Sequence, residues 1–350
     1  MELDELRARL LKGGVIPACP LALNEDGSWS ERHQGALMAY YREAGALGVA
    51  VGVHTTQFEI REPRHGLFEP VLELCANRVG SGTQPCLLRI AGLCGETAQA
   101  LGEAETARRL GYDAGLLSVA ALKTWTEPEI VAHCRAVSEA LPVFGFYLQP
   151  AVGGRDLSYD FWRAFAEIEN VVAIKIAAFN RYRTLEVIRA LTDAGRDDIA
   201  LYTGNDDHII GDLLTAHRFG EDERAPARRF AGGLLGQWAV WTRRAVEMHA
   251  EILRIREGES VPAEWLTRNA QLTDANAALF DAANGFAGCI PGINEVLRRR
   301  GLLPSRRCLN PAEEMSPGQA ERIDRVSAAY SWLVDDAFVL ENRERWLSES

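Results

Sequence analysis

The seven cysteines are odd in number and never form a C-x-x-C pair. That removes a disulfide frame and a thiolate zinc site, and it fits reduced thiols in a cytoplasmic protein. No H-x-H or other dense ligand cluster takes their place, so a metal-centred hydrolase lacks its donors and neither metal nor other cofactor is expected. No apolar run reaches the roughly 20 residues of a membrane helix. The charged amphipathic stretch from Met1 to Gly14 lacks the apolar segment of a secretory signal. Basic charge is in deficit, with 38 Lys and Arg against 49 Asp and Glu and a formal net charge of -11. A nucleic acid or an anionic membrane is therefore a poor partner. The first strand-to-helix turn also has no G-x-G-x-x-G, which takes away the signature of a doubly wound dinucleotide fold.

What is present is an ordinary globular composition: 350 residues, 47% hydrophobic and 25% charged. Short apolar runs recur roughly every thirty residues. They begin at Val15, Leu47, Cys86, Ala114, Val143, Val171, Ile199 and Phe230. Amphipathic stretches separate them: Ser30 as N-cap of a helix to Glu43, then Glu69 to Asn77, Thr97 to Leu110, Glu127 to Ala140, Tyr159 to Ile168, Thr184 to Ala194 and Asp206 to His217. Strands alternating with helices imply a parallel sheet, and eight such units match a (β/α)8 TIM barrel of the α/β class. Residues 1–13 read as an N-terminal helix, 14–257 as the barrel and 258–350 as an all-helical C-terminal appendage. Glu221 to Arg229 reads as a solvated insertion, and the last residues from Asp335 as a packing arm or a frayed tail.

Within the sixth run, Val171-Val172-Ala173-Ile174-Lys175-Ile176-Ala177, one lysine interrupts an apolar, β-branched strand. Burial disfavours an ammonium, so such a lysine snorkels to solvent, pairs with a carboxylate, or works as a neutral nucleophile that forms Schiff bases. Barrel active sites lie at the C-terminal ends of the strands. The polar residues there are His54-Thr55-Thr56 after the second run, Tyr147 at the fifth, Lys175 at the sixth and Gly204-Asn205-Asp206 after the seventh. A tyrosine one strand away suits proton relay, and the Thr55-Thr56 hydroxyls and amides suit a carboxylate. Each also has a structural reading: Tyr147 as a rim residue, Thr55-Thr56 as a strand end, Asn205-Asp206 as a helix cap, His54 as a satisfied rim histidine.

Four motifs in order then resemble the dihydrodipicolinate synthase / N-acetylneuraminate lyase family of class I aldolases. Val53-His54-Thr55-Thr56-Gln57-Phe58-Glu59 is similar to its G-T-T-G-E loop, and Tyr147-Leu148-Gln149-Pro150 to its Y-N-[VI]-P. Ala173-Ile174-Lys175 resembles its G-[IV]-K, and Thr203-Gly204-Asn205-Asp206 its S-G-D-D. The resemblance implies Lys175 as Schiff-base lysine, with Tyr147 and Thr55 moving protons. It also implies Thr56, His54, Gly204 and Asn205 around a pyruvate-like 2-oxo acid, in a dimer or tetramer. His54 replaces the loop's first glycine and Gln57-Phe58 its second. Leu122-Lys123 stands at the relay aromatic pair and Val152 at the substrate arginine, with Arg155 displaced nearby, which argues against lysine biosynthesis. Trp125, Trp162 and Trp238 offer a more aromatic site. The expected activity is a lyase or aldolase making or breaking a C–C bond of a 2-oxo acid. Alternatives are a hydratase-aldolase or a dehydratase/decarboxylase of a 2-oxo sugar acid, and a ligand-binding barrel without turnover.

Overall fold

In a computed structural model, residues 1–79, 86–220 and 227–349 are described. Eight short strands carry the chain's β-branched and apolar runs: β1 Val15–Pro17, β2 Gly48–Val51, β3 Leu88–Leu93, β4 Ala114–Leu117, β5 Val143–Leu148, β6 Val171–Ala177, β7 Ala200–Thr203 and β8 Phe230–Leu235. Helix α1 (Leu3–Lys12) precedes them. Between them run α2 (Glu31–Ala44), α3 (Phe68–Val79), α4 (Thr97–Arg109), α5 (Glu127–Ala140), α6 (Tyr159–Ala166), α7 (Arg181–Asp193) and α8 (Ile209–Leu214), and α9 (Thr242–Arg256) follows β8. The sheet order is β1-β8-β7-β6-β5-β4-β3-β2. A parallel bridge between Ala18 and Ala50 joins the two ends, with the Cys19 N–H donating to the Ala50 carbonyl at 2.8 Å. The result is the (β/α)8 barrel, followed by α10 (Glu264–Leu279), α11 (Cys289–Arg299), α12 (Gln319–Ala329) and α13 (Asp336–Ser348).

The chain groups into two compact units. The first comprises Met1–Gly14, Ile90–Leu234 and Ile252–Pro262; the second comprises Val15–Arg89, Leu235–Glu251 and Ala263–Ser350. In the first, β5, β6 and β7 pair in register so that Phe146 lies beside Lys175 and Lys175 beside Tyr202. Side chains alternate along a strand, and one face collects Phe144, Phe146, Lys175 and Tyr202. Phe144 and Tyr202 meet edge to face at 5.2 Å, and the Tyr202 hydroxyl donates to the Leu10 carbonyl of α1. The opposite face packs on α6, whose Phe165 ring lies against the bare α-carbon of Gly145. Side-chain caps start the helices that flank the sixth strand. Ser158 Oγ accepts from the Phe161 N–H of α6, and Asn180 Oδ1 accepts from the Tyr182 and Arg183 N–H groups of α7.

Three local expectations change. Ser30 does sit at the N-cap of α2, but its hydroxyl bonds His33 Nδ1 at 2.8 Å and makes no cap bond. Helix α8 is shorter than the expected span from Asp206 to His217, because the Asn205 carbonyl takes the His208 N–H in a turn ahead of it. Residues 221–226 of the expected insertion lie outside the described residues, while Arg228 pairs with His217 in an antiparallel bridge.

In the second unit the last residues form a packing arm. Trp346 of α13 is fully buried, 5.6 Å from the Tyr40 ring of α2. Ahead of α13, Asp335 accepts from the Tyr40 hydroxyl at 2.8 Å and from the Arg243 N–H at 3.0 Å. Burial pushes its carboxyl up to about 6, although both bonds pull the other way. The folded chain therefore holds this proton more tightly than the unfolded one, and stability declines as pH rises from about 4 through about 6. The full effect is about 3 kcal/mol at ~1.4 kcal/mol per pKa unit. Asp335→Asn is expected to gain on the wild type between pH 4.5 and pH 7.5 in urea denaturation, whereas a constant offset would refute the coupling.

Candidate active site

Lys175 sits mid-strand in β6 and is half-buried. Its Nζ lies 4.5 Å from the centroid of the Phe146 ring. Gly204, just past β7, forms the next wall. A Cβ there would come within 2.6 Å of Lys175 Cε and 2.8 Å of Ala177 Cβ, so the lysine stem occupies the space a side chain would need. The amine thus extends between a ring face and a bare backbone.

Asp212 organises the loops on either side. Fully buried, it accepts from Thr203 Oγ1 at 2.6 Å and Asn205 Nδ2 at 2.9 Å, and it pairs with the Arg181 guanidinium. Asn205 Oδ1 takes the Phe179 N–H at 2.9 Å, and the Gly204 N–H reaches the Ile176 carbonyl at 2.7 Å. Phe179 holds a left-handed conformation, φ 48°, in the turn after β6, a strained geometry that its bond to Asn205 helps to hold. Asn205, expected to touch substrate, is instead buried and engaged at both ends of its amide. Its work is to tie the β6 turn to the β7 turn. Asp212, Arg181 and Phe146 carry no motif and were not among the sequence candidates.

Tyr147 does not join Lys175. It pairs in register with Ile176, on the face opposite to Phe146, and its ring packs at a tilt against Trp162 of α6, 5.4 Å between centroids. Its hydroxyl is buried without a hydrogen bond of good geometry. Burial raises its pKa, with the Leu157 backbone amide a partial offset. Strand alternation thus sets the expected relay tyrosine on the face away from Lys175. Since the hydroxyl is desolvated and makes no well-aligned hydrogen bond, Tyr147→Phe is expected to leave unfolding free energy unchanged or raise it by about 1 kcal/mol. A urea melt showing a loss above that would count against the assignment. Arg155, displaced in the sequence from the expected substrate arginine, donates to the Leu122 and Trp125 carbonyls at 2.7 and 3.0 Å and holds the loop after β4. Trp162 and Trp238 are core side chains.

In the second unit, His54–Thr56 form a 3₁₀ turn after β2. Thr55 Oγ1 donates to the Ala18 carbonyl at 2.8 Å. Thr56 Oγ1 donates to the Cys19 carbonyl at 2.7 Å and accepts from the Gly52 N–H at 3.0 Å. Carbonyls only accept, so both hydroxyl protons are spent on the main chain. In this arrangement the two hydroxyls expected to move protons and to hold a carboxylate pin the loop to the end of β1. His54 is exposed, 6.1 Å from the Phe58 ring. Gln57 takes φ 69° where the family loop has glycine, and its Oε1 accepts from the Leu309 N–H at 2.5 Å. A cavity of about 360 Å³ in this unit is lined by Arg298, Arg306 and Arg307 and by Glu25, Glu313 and Glu314. Its charges balance, so it selects neither sign of ligand. Among the described residues no group of three or more His, Cys, Asp or Glu is placed to hold a metal, and no helix is long and apolar enough to cross a membrane.

Residues 12–218 match the model of the dihydrodipicolinate synthetase family, more than half of the chain. The chain belongs to this family. The 4-hydroxy-tetrahydrodipicolinate synthase of Marinobacter nauticus is 35% identical over 210 residues, covering 59% of this chain and 68% of that protein. With two other such synthases the matches span about half of the relative's length, 47% and 51%. Among solved structures, dihydrodipicolinate synthase from Acinetobacter baumannii complexed with pyruvate superposes with a TM-score of 0.74 at 20% identity, covering 91% of this chain and 99% of that one. N-acetylneuraminate lyase from Fusobacterium nucleatum gives 0.71 at 16%, with the same coverage. At these identities the structures show the shared fold alone.

Proposed function

We propose that this member of the family is a Schiff-base lyase or aldolase acting on pyruvate or a related 2-oxo acid, with Lys175 as nucleophile. The observation that carries the reading is the placement of Lys175: its amine stands on the sheet face with Phe146, on β6, beside a glycine whose lack of a side chain leaves the stem its path. A lysine amine held beside an aromatic ring at the mouth-side half of a barrel strand is placed to act as a nucleophile. Family membership and the pyruvate complex of the Acinetobacter enzyme support the choice of substrate class.

In this reading the Lys175 Nζ lone pair forms a bond to C2 of the acid while the carbonyl pair becomes a hydroxyl. The hydroxyl leaves as water after taking up a proton, and the nitrogen keeps the new double bond as a protonated imine. That cation accepts the electron pair released when a bond at C3 breaks, whether to hydrogen or to carbon. Asn205, Thr203 and Asp212 hold Gly204 in place beside the amine.

Loss of a C3 proton to the imine can be read directly. The protein in D₂O is expected to exchange the C3 hydrogens of pyruvate, or of one member of a panel of 2-oxo acids, well above the uncatalysed rate by proton NMR. Lys175→Met should return exchange to background. Absence of exchange with every acid in the panel would count against the proposed chemistry.

A further inference from the structure

The Phe146 ring faces the amine of Lys175, and it has no proton to give. We propose that Phe146 is itself a catalytic residue: its ring face stabilises the positive charge that Lys175 Nζ carries as the protonated imine. This inference rests on the reading of Lys175 as the Schiff-base lysine.

Three observations point to it. The Nζ stands 4.5 Å from the ring centroid, inside the distance at which a cation is drawn to the negative face of an aromatic ring. The β5–β6 register pairs Phe146 with Lys175, so the contact follows from the sheet and does not depend on a flexible loop. Gly204 confines the stem on the side of β7, where any Cβ would displace Cε, and this restricts how far the amine can swing from the ring. Tyr147, with its hydroxyl, lies on the other face against Trp162.

The chemistry matches the ring's electrostatics. When Nζ bonds to C2 and water departs, the nitrogen gains a positive charge that persists until the C3 bond has given up its electrons. A ring quadrupole favours that charged state over the neutral carbinolamine and enamine on either side of it. The ring supplies no proton and acts on the charge alone; the proton that leaves with water is delivered from elsewhere in the site or from solvent.

The test uses the full-length protein with pyruvate and borohydride, and reads the rate at which the reduced adduct accumulates. Phe146→Leu is expected to slow trapping by roughly 5- to 30-fold, the range a desolvated cation–π contact commands, and Phe146→Trp to recover it to within about threefold of wild type. Stepwise replacement of Phe146 by mono-, di- and trifluorinated phenylalanine keeps the shape while draining the ring face, and the logarithm of the rate should fall with each fluorine. Tyr147→Phe should stay within about twofold. A flat fluorine series, or a loss of about 100-fold in Tyr147→Phe, overturns the proposal while leaving Lys175 chemistry intact. No adduct in the wild type with any 2-oxo acid overturns the Schiff-base reading and this inference with it. The fluorinated chains preserve packing, so the outcome stands even if Phe146→Leu fails to fold.

Discussion

Lys175→Met is expected to lose turnover by at least about 10⁴-fold, which corresponds to more than 5 kcal/mol of transition-state stabilisation. A methionine has the length and flexibility to fill the path beside Gly204, but it offers no nitrogen to C2. On the same face Phe146 and Phe144 carry no nucleophile, and the Tyr202 hydroxyl is engaged with the Leu10 carbonyl. Stability should rise or stay unchanged, since a half-buried amine is exchanged for an apolar chain. A variant that folds as well as wild type but turns over no 2-oxo acid is the expected pair of results, read by steady-state kinetics and a urea melt. Retention of more than about a hundredth of wild-type turnover would remove Lys175 from the mechanism.

Asp212→Ala carries the largest expected cost to the fold. The carboxylate is fully buried and serves three donors, Thr203, Asn205 and Arg181. Without it the Thr203 hydroxyl and the Asn205 amide are left buried and unpaired, at about 1–3 kcal/mol each. Arg181 is 40% exposed and can turn to solvent, which limits its share. The hydroxyl and the amide together come to about 2–6 kcal/mol, a large part of the roughly 5–15 kcal/mol that holds an ordinary domain. Gly204 lies between Thr203 and Asn205, so the wall beside Lys175 loosens at the same time. Turnover of the fraction that remains folded should drop about 10- to 100-fold, the scale of a small misplacement of reacting groups. Asp212→Asn keeps one acceptor and should fall between the two. Denaturation at low temperature, paired with kinetics on the folded material, checks both halves; a stability loss under about 1 kcal/mol would show that the network does not hold the loops.

The barrel was legible because its evidence is local. Eight apolar runs with intervening amphipathic stretches encode strand and helix through their own periodicity, and a parallel barrel needs no further instruction at that level. Lys175 was legible for the same reason, since an amine in a run such as Val171 to Ala177 stands out against its neighbours. The side of the sheet on which Tyr147 falls was not. It depends on how β5 is set against β6, and the ladder shifts register between Val143 and Phe144; a shift of one residue exchanges the inward and outward sets. The motif Tyr147-Leu148-Gln149-Pro150 therefore matched in letters while the adjacent Phe146 took the inward position. The partners of Asn205 and of the Thr55-Thr56 pair were not legible for a related reason. Their partners, Phe179, Asp212, Ala18 and Cys19, are brought to them by the fold, and a polar residue at a strand end looks the same in sequence whether it meets a ligand or the main chain. The tail was ambiguous in sequence because its Trp and Phe are scattered among charges; only the surface of α2, with Tyr40 ready for Trp346 and Asp335, makes it a packing arm.

Borohydride trapping with residue-level mapping addresses the central claim most directly. The protein is incubated with pyruvate and with a panel of larger 2-oxo acids, reduced, digested and sequenced by mass spectrometry. The account predicts a stable secondary amine on Lys175 with at least one of these acids, absent from Lys175→Met and suppressed when borohydride is added after the acid is removed. An adduct that maps to Lys12 or Lys123, or no adduct with any acid in the panel, would contradict it.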